Sequence, residues 1–169
     1  NDKFITNKKQ TMRFSMKMEI ERNQEIAEEV LSQRKSWDDA VIGKEIDQLV
    51  IQCAENISMF DVSSQLNGID AYKKEWEKFS PYFNDSMQIV RRDMKIHASD
   101  DLAVLHCHSK VENPILKGKL QMPWCRTTLC LQKKDGQWLV VHQHISMPID
   151  MITGKAIVLK DNSKLRLVV

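Results

Sequence analysis

Residues 120–150 read LQMPWCRTTLCLQKKDGQWLVVHQHISMPID. Two runs rich in Val, Leu, Ile, Thr and Trp flank Asp135-Gly136, a dipeptide whose residues tolerate positive φ, and this pattern predicts two long β-strands joined by a tight turn. In extended backbone alternate side chains share a face. Trp138, Val140, His142, His144 and Ser146 are therefore expected on one face, and Leu139, Val141, Gln143, Ile145 and Met147 on the other. The first face passes from apolar to polar, which suits a packed floor opening into a lined pocket. The second is mostly aliphatic and is expected to be covered as well.

Working outward, residues 86–96, 102–111, 120–133 and 138–147 alternate as four sequential strands, a pattern that favours an antiparallel sheet. Upstream the period is helical. Between residues 18 and 42, Ile26, Val30, Leu31, Arg34, Trp37 and Val41 recur at steps of three and four, forming one largely apolar stripe. Residues 44–55 predict a second helix presenting Ile46, Leu49, Val50 and Cys53. A short strand at 57–61 follows, and then a third helix capped by Asn67, buried through Ala71, Tyr72, Trp76 and Phe79 or Phe83, and disturbed at its end by Pro81. Three helices on a meandering sheet make an α+β domain. Residues 1–17 are expected as a loose N-terminal arm, 18–156 as the domain, and 157–169 as a C-terminal extension forming a hairpin or an exchanged strand.

A chain of 169 residues with 42% hydrophobic and 28% charged content is the size and kind of one globular domain. A net charge of +2 is too small to imply nucleic acid. No apolar run approaches the ~20 residues that span a bilayer, so no membrane insertion is expected. Cys53, Cys107, Cys125 and Cys130 lack Cys-x-x-Cys spacing and fall in apolar patterns, which predicts buried thiols in a reducing, cytoplasmic compartment, with a processed secreted form as the alternative.

The order of elements, together with Ser36-Trp37-Asp38-Asp39-Ala40, Phe60-Asp61, Asn67-Gly68-Ile69-Asp70-Ala71-Tyr72 and the string from Asp135 to Ser146, resembles the nuclear transport factor 2-like superfamily, in particular its SnoaL-like and ketosteroid isomerase-like branch. The hairpin string is also similar to the association domain of calcium/calmodulin-dependent protein kinase II. The resemblance covers about residues 20 to 156. It implies a cystatin-like cone, with a curved sheet around the helices, a deep pocket and dimerisation through the sheet. Because the superfamily hosts both enzymes and binding modules, residues must decide the chemistry.

Asp61 stands, by that resemblance, where the isomerase branch keeps its general base, which needs a carboxylate in an apolar pocket. An Asp that caps the turn formed by Val62, Ser63 and Ser64 is an equal reading. The positions matching the isomerase oxyanion donors are Trp37 and Thr128. Neither is an acid matched to an enolate, so steroid isomerisation is disfavoured. His144 is expected to line the pocket as a partner of Asp61, and His142 to be either a lining residue or a scaffold hydrogen-bonder. Arg126 has the fork geometry to hold a carboxylate. Its side depends on register: a two-residue turn pairs Thr127 with His144, and one extra turn residue pairs Arg126 with it. Phe60, Tyr72, Trp76 and Trp124 are candidates for an aromatic wall or for ordinary core. His106-Cys107-His108 repeats the spacing of His142 and His144, a weak metal signal; neither metal nor cofactor is expected. The resulting expectation is a homodimeric pocket protein for a small apolar carbonyl or carboxylate compound, with Asp61 and His144 moving a proton. The alternatives are a non-catalytic ligand-binding module and an association or scaffold domain.

Overall fold

The computed structural model describes residues 18–21, 24–113 and 123–159. Four of the strands lie where alternation puts them: β4 (Gln88–Ala98), β5 (Leu102–Glu112), β6 (Cys125–Lys134) and β7 (Gln137–Ser146) form an antiparallel meander. Asp135 and Gly136 make the β6–β7 turn with φ of 50° and 79°, the mirror-image turn that matches strand twist.

The sheet is larger than the sequence suggests. Among the described residues its seven strands run in the order β1-β4-β5-β6-β7-β2-β3. β1 (Met18–Glu21) pairs parallel with β4, and β2 (Cys53–Phe60) pairs parallel with β7, so the sheet is mixed rather than wholly antiparallel. The first helix therefore starts at Gln24, not near Met18: α1 is Gln24–Ile42. The second shrinks to α2, Ile46–Val50, because Cys53, Ala54 and Glu55 join the β2 ladder. Pairing with a neighbouring strand outweighs local helical propensity there. Asn67 is not a cap either. It ends β3 (Gln65–Asn67) opposite Ser58, and Gly68, at φ 83°, turns the chain into α3 (Ile69–Phe79). Pro81 sits in a 3₁₀ turn over Ser80–Tyr82 that closes α3, and Phe83 rather than Phe79 packs on the core.

The helices cover one face of the sheet. Ala27, Val30, Trp37, Ala40 and Val41 of α1 join Leu49 of α2, Tyr72 of α3 and Met94, Ile96, Leu105, Leu129, Leu131 and Val140 of the strands in one core. Besides a shift in the β2–β7 pairing between Cys53 and Ser58, two irregularities bear on which side chains reach it. The β4–β5 register shifts between Arg92 and Lys95, where Asp93 takes φ 53°, and the β6–β7 register shifts between Cys130 and Leu131. Each shift bends the strand and exchanges the two faces beyond it. The expected N-terminal arm and most of the expected C-terminal extension lie outside the described residues; just before the latter, Ile149 and Ala156 make an isolated bridge.

Candidate functional site

The β7 irregularity reverses the expected hairpin faces. Trp138 and Val140 point inward with the helices, and Trp138 Nε1 donates to Glu29 of α1 at 2.7 Å. Beyond the shift Gln143 takes over the inward side, its Oε1 accepting from the Tyr72 hydroxyl at 2.9 Å. His142 and His144 consequently lie on the outer face, away from the helices. The extra residue sits in β7 rather than in the turn, so Thr128, not Thr127 or Arg126, pairs with His144, and Arg126 pairs with Ser146.

The candidate site residues thus divide between two surfaces. On the outer face Phe60, His142, His144, Thr128 and Arg126 gather around β2, β6 and β7. Ser58 Oγ and His142 Nδ1 are 2.7 Å apart, and the Phe60 ring meets both imidazoles edge-on at 5.1 and 5.9 Å. Phe60 is 45% exposed, and His144 and Arg126 are exposed as well. His106 and His108 share this face, but β6 separates them from His142 and His144. Two strand spacings, about 9.6 Å, are far beyond a zinc ligand distance, and no metal-binding group of three side chains occurs among the described residues. Trp124 is buried just before β6 beside two cations, with Arg92 Cζ at 4.4 Å and Lys110 Nζ at 4.7 Å from its ring.

Trp37, Tyr72 and Trp76 are brought together inside. Trp37 and Trp76 meet edge-to-face at 5.2 Å, and Tyr72 and Phe83 flank Trp76 at 6.2 and 6.1 Å. No hydrogen bond or ion pair links Asp61 to His144 among the described residues, although Phe60 is His144's partner in the ladder. Asp61 closes a turn, accepting from Val62 N–H at 2.8 Å and donating its own N–H to Ser64 O. Burial, with a smaller contribution from the Asp61 charge, pushes the Cys125 thiol up; Cys125 pairs with Ser109, next to the inward Thr127.

The charged group at the heart of the interior is not among the site residues expected from the sequence. Arg34 and Asp38 sit one turn apart on the buried side of α1, and the β4 irregularity turns Arg91 inward to meet them. Arg34 Nη2 lies 2.9 Å from Asp38 Oδ1, Arg91 Nη2 donates to the same oxygen at 2.7 Å, and Arg91 Nη1 donates to Oδ2. Both arginine side chains are 6% exposed, and that of Asp38 is 20%. Arg34 also stacks over Trp37, 4.2 Å from the ring centroid. Burial pushes the Asp38 carboxyl up to about 7, and Arg34 opposes that rise. On the same inner face Arg91 pairs with Ser109 and Ser109 with Cys125, and Ser109 Oγ and Thr127 Oγ1 are 2.6 Å apart.

One sequence signal pointed here: Arg34 occupies a position of an otherwise apolar stripe, with an acid four residues on. Arg91 had none, because its side depends on the irregularity at Asp93. Two surface depressions lie elsewhere. One of 360 Å³ runs along α1 and α2 beside Lys35, Asp39 and Gln48, and one of 710 Å³ lies between Ala54, Gln132 and Leu139. Neither is lined by Asp38.

Comparison with known proteins accords with this architecture. Residues 30–150 match the SnoaL-like domain family. No curated protein is a significant match to the sequence. Among solved structures, an NTF2-like protein of unknown function from Pseudomonas putida KT2440 aligns with a TM-score of 0.73 and 28% identity over 82% of this chain and 98% of that one. A Shewanella frigidimarina protein assigned as a ketosteroid isomerase aligns at 0.58 and 17% identity over 68% and 92%. A Xanthomonas campestris protein assigned as a calcium/calmodulin-dependent protein kinase II association domain aligns at 0.61 and 20% identity over 71% and 86%.

Proposed function

This chain belongs to the SnoaL-like domain family, and from that premise we propose that it is a small-molecule protein whose site is the helix-covered interior, where Asp38 moves a proton on a carbonyl compound. The observation that carries this reading is Asp38 itself. It is an inward carboxyl beside an aromatic wall, pushed by burial to about 7, where a general acid or base works at neutral pH. In the proposed reaction an Asp38 oxygen takes a proton from the carbon beside the carbonyl, negative charge develops on the carbonyl oxygen, and the same carboxyl returns the proton to the carbon skeleton. The neighbouring guanidiniums favour that developing charge. Trp37 and Trp76 supply the apolar wall. Asp61 is a second carboxylate, tied into its own turn.

Two-dimensional indole NMR tests the location. Titration with cyclohexenone should shift the Trp37 and Trp76 N–H signals. Shifts confined to Trp124, or to the imidazoles of His142 and His144, would place binding on the other face and end this reading.

A second reading is favoured by the character of the outer face. Phe60 is 45% exposed there, beside half-buried His142, Thr128 and Cys130. An aromatic, partly apolar sheet face is suited to pairing with a second copy. The likeness to a protein assigned as an association domain supports a homodimer or larger assembly. Light scattering coupled to size exclusion tests it; a monomer at all concentrations would contradict it. The two readings use opposite faces and are compatible.

A further inference from the structure

With all three groups ionised, Arg34, Asp38 and Arg91 bring two positive charges and one negative into a place where both arginine side chains are 6% exposed. A buried charge is costly unless paired and hydrogen-bonded. Here pairing is incomplete. Asp38 engages terminal nitrogens of both arginines, while Arg34 Nε and Arg91 Nε are buried without a hydrogen-bond partner among the described residues. The groups next to them on the inner face, Ser109 and Thr127, are neutral and occupied with each other. Asp39, next along α1, lines the surface depression on that helix. Among the described residues the cluster therefore holds one more positive charge than negative, and unspent donors in a buried setting.

Resting on the interior being the ligand site, we infer that its ligand is an anion, a monocarboxylate with an apolar or aromatic body, whose carboxylate Arg34 and Arg91 receive while its body lies against Trp37 and Trp76. A guanidinium offers donors in a planar fork matched to a carboxylate, and an unused Nε is one arm of that fork. The carboxylate supplies the missing negative charge, which a neutral molecule of the same shape does not. Trp37, already under the Arg34 guanidinium at 4.2 Å, continues the site into apolar surface.

Benzoate and benzamide, nearly equal in shape and different in charge, are the probes. Calorimetry at pH 8 should show benzoate binding at least roughly tenfold tighter than benzamide, the scale of a charge-assisted hydrogen bond. Asp38→Asn removes the competing carboxylate and should tighten benzoate further without helping benzamide. Arg91→Gln should erase the preference; if that variant fails to fold, the wild-type comparison and Asp38→Asn still decide. Equal binding of both probes, with shifts at Trp37, would overturn the anion while leaving the interior site standing. Binding of neither, or shifts only around Arg126 and His144, would overturn both.

Discussion

Arg91 on β4 and Asp38 on α1 meet inside the sheet in a two-pronged ion pair, with Arg91 Nη2 2.7 Å from Oδ1 and Nη1 on Oδ2. The contact joins residues 53 apart in sequence and fastens the first helix to the sheet. Its removal has an asymmetric cost. Asp38→Ala leaves the terminal nitrogens of both guanidiniums buried without their acceptor and should destabilise the fold by about 1–3 kcal/mol, the cost of stranding buried hydrogen-bonding groups. Arg91→Met leaves Arg34 and Asp38 as a one-to-one pair and should cost clearly less. Urea unfolding of both variants at pH 8 checks the order. A larger loss for Arg91→Met would show that the cluster does not carry the surplus positive charge described.

The Asp38 carboxyl also sets a pH dependence. Its folded value, raised from 3.8 to about 7 by burial, means that between these limits the folded state holds a proton the unfolded state has lost. Its contribution to stability is complete below the unfolded value and is lost as pH rises through the folded one. Relative to Asp38→Asn, the wild type should therefore lose stability from about pH 4 to about pH 7 and run parallel above. Unfolding free energies of both proteins across that range provide the check. A difference that grows in favour of the wild type with rising pH would mean that ion pairing outweighs burial at this carboxyl.

The thiols should divide by depth. Burial pushes Cys53 and Cys107 up to about 12, so at pH 8 almost no thiolate forms at either. Cys125 and Cys130 are only half-buried. Iodoacetamide on the native protein should modify Cys125 first, with Cys130 joining it where no second copy covers the outer face, and reach the other two only on unfolding, as peptide mass mapping would show. Early labelling of Cys107 would contradict the packing of the inner face.

How far these features were legible before the structure differs by element. The β6–β7 hairpin was readable because Asp-Gly between alternating runs has few other solutions. The core stripe of α1 was readable for the same kind of reason, since a period of 3.6 leaves one face for burial. The sides of His142, His144 and Arg91 were not. Each lies beyond a register shift, and a single inserted residue flips every later side chain without altering the alternation seen in sequence. Residues 53–55 misled because Cys-Ala-Glu fits a helix locally, while its partner, β7, lies far along the chain. The candidate site moved accordingly, from Asp61 and His144 to Asp38, a residue quoted only within a family string.

The turn itself gives a compact test. Gly136, at φ 79°, has no heavy atom within 4 Å of where a Cβ would sit, so a side chain there meets strain but no clash. Gly136→Val should cost about 1–3 kcal/mol, the range for a left-handed non-glycine residue, whereas Gly136→Asn should cost far less. Equal losses in thermal unfolding would remove backbone strain as the cause.

The most direct test of Asp38 as the proton-moving group is solvent-deuterium incorporation, followed by NMR, into enolisable carbonyl compounds, acids such as phenylpyruvate included, in heavy water. The wild-type protein should accelerate exchange beside the carbonyl. Asp38→Asn should remove that acceleration, while Asp61→Asn and His144→Ala should retain it. Acceleration that survives Asp38→Asn and disappears with Asp61→Asn would contradict Asp38 as the base, and its disappearance with His144→Ala would contradict the interior site as well.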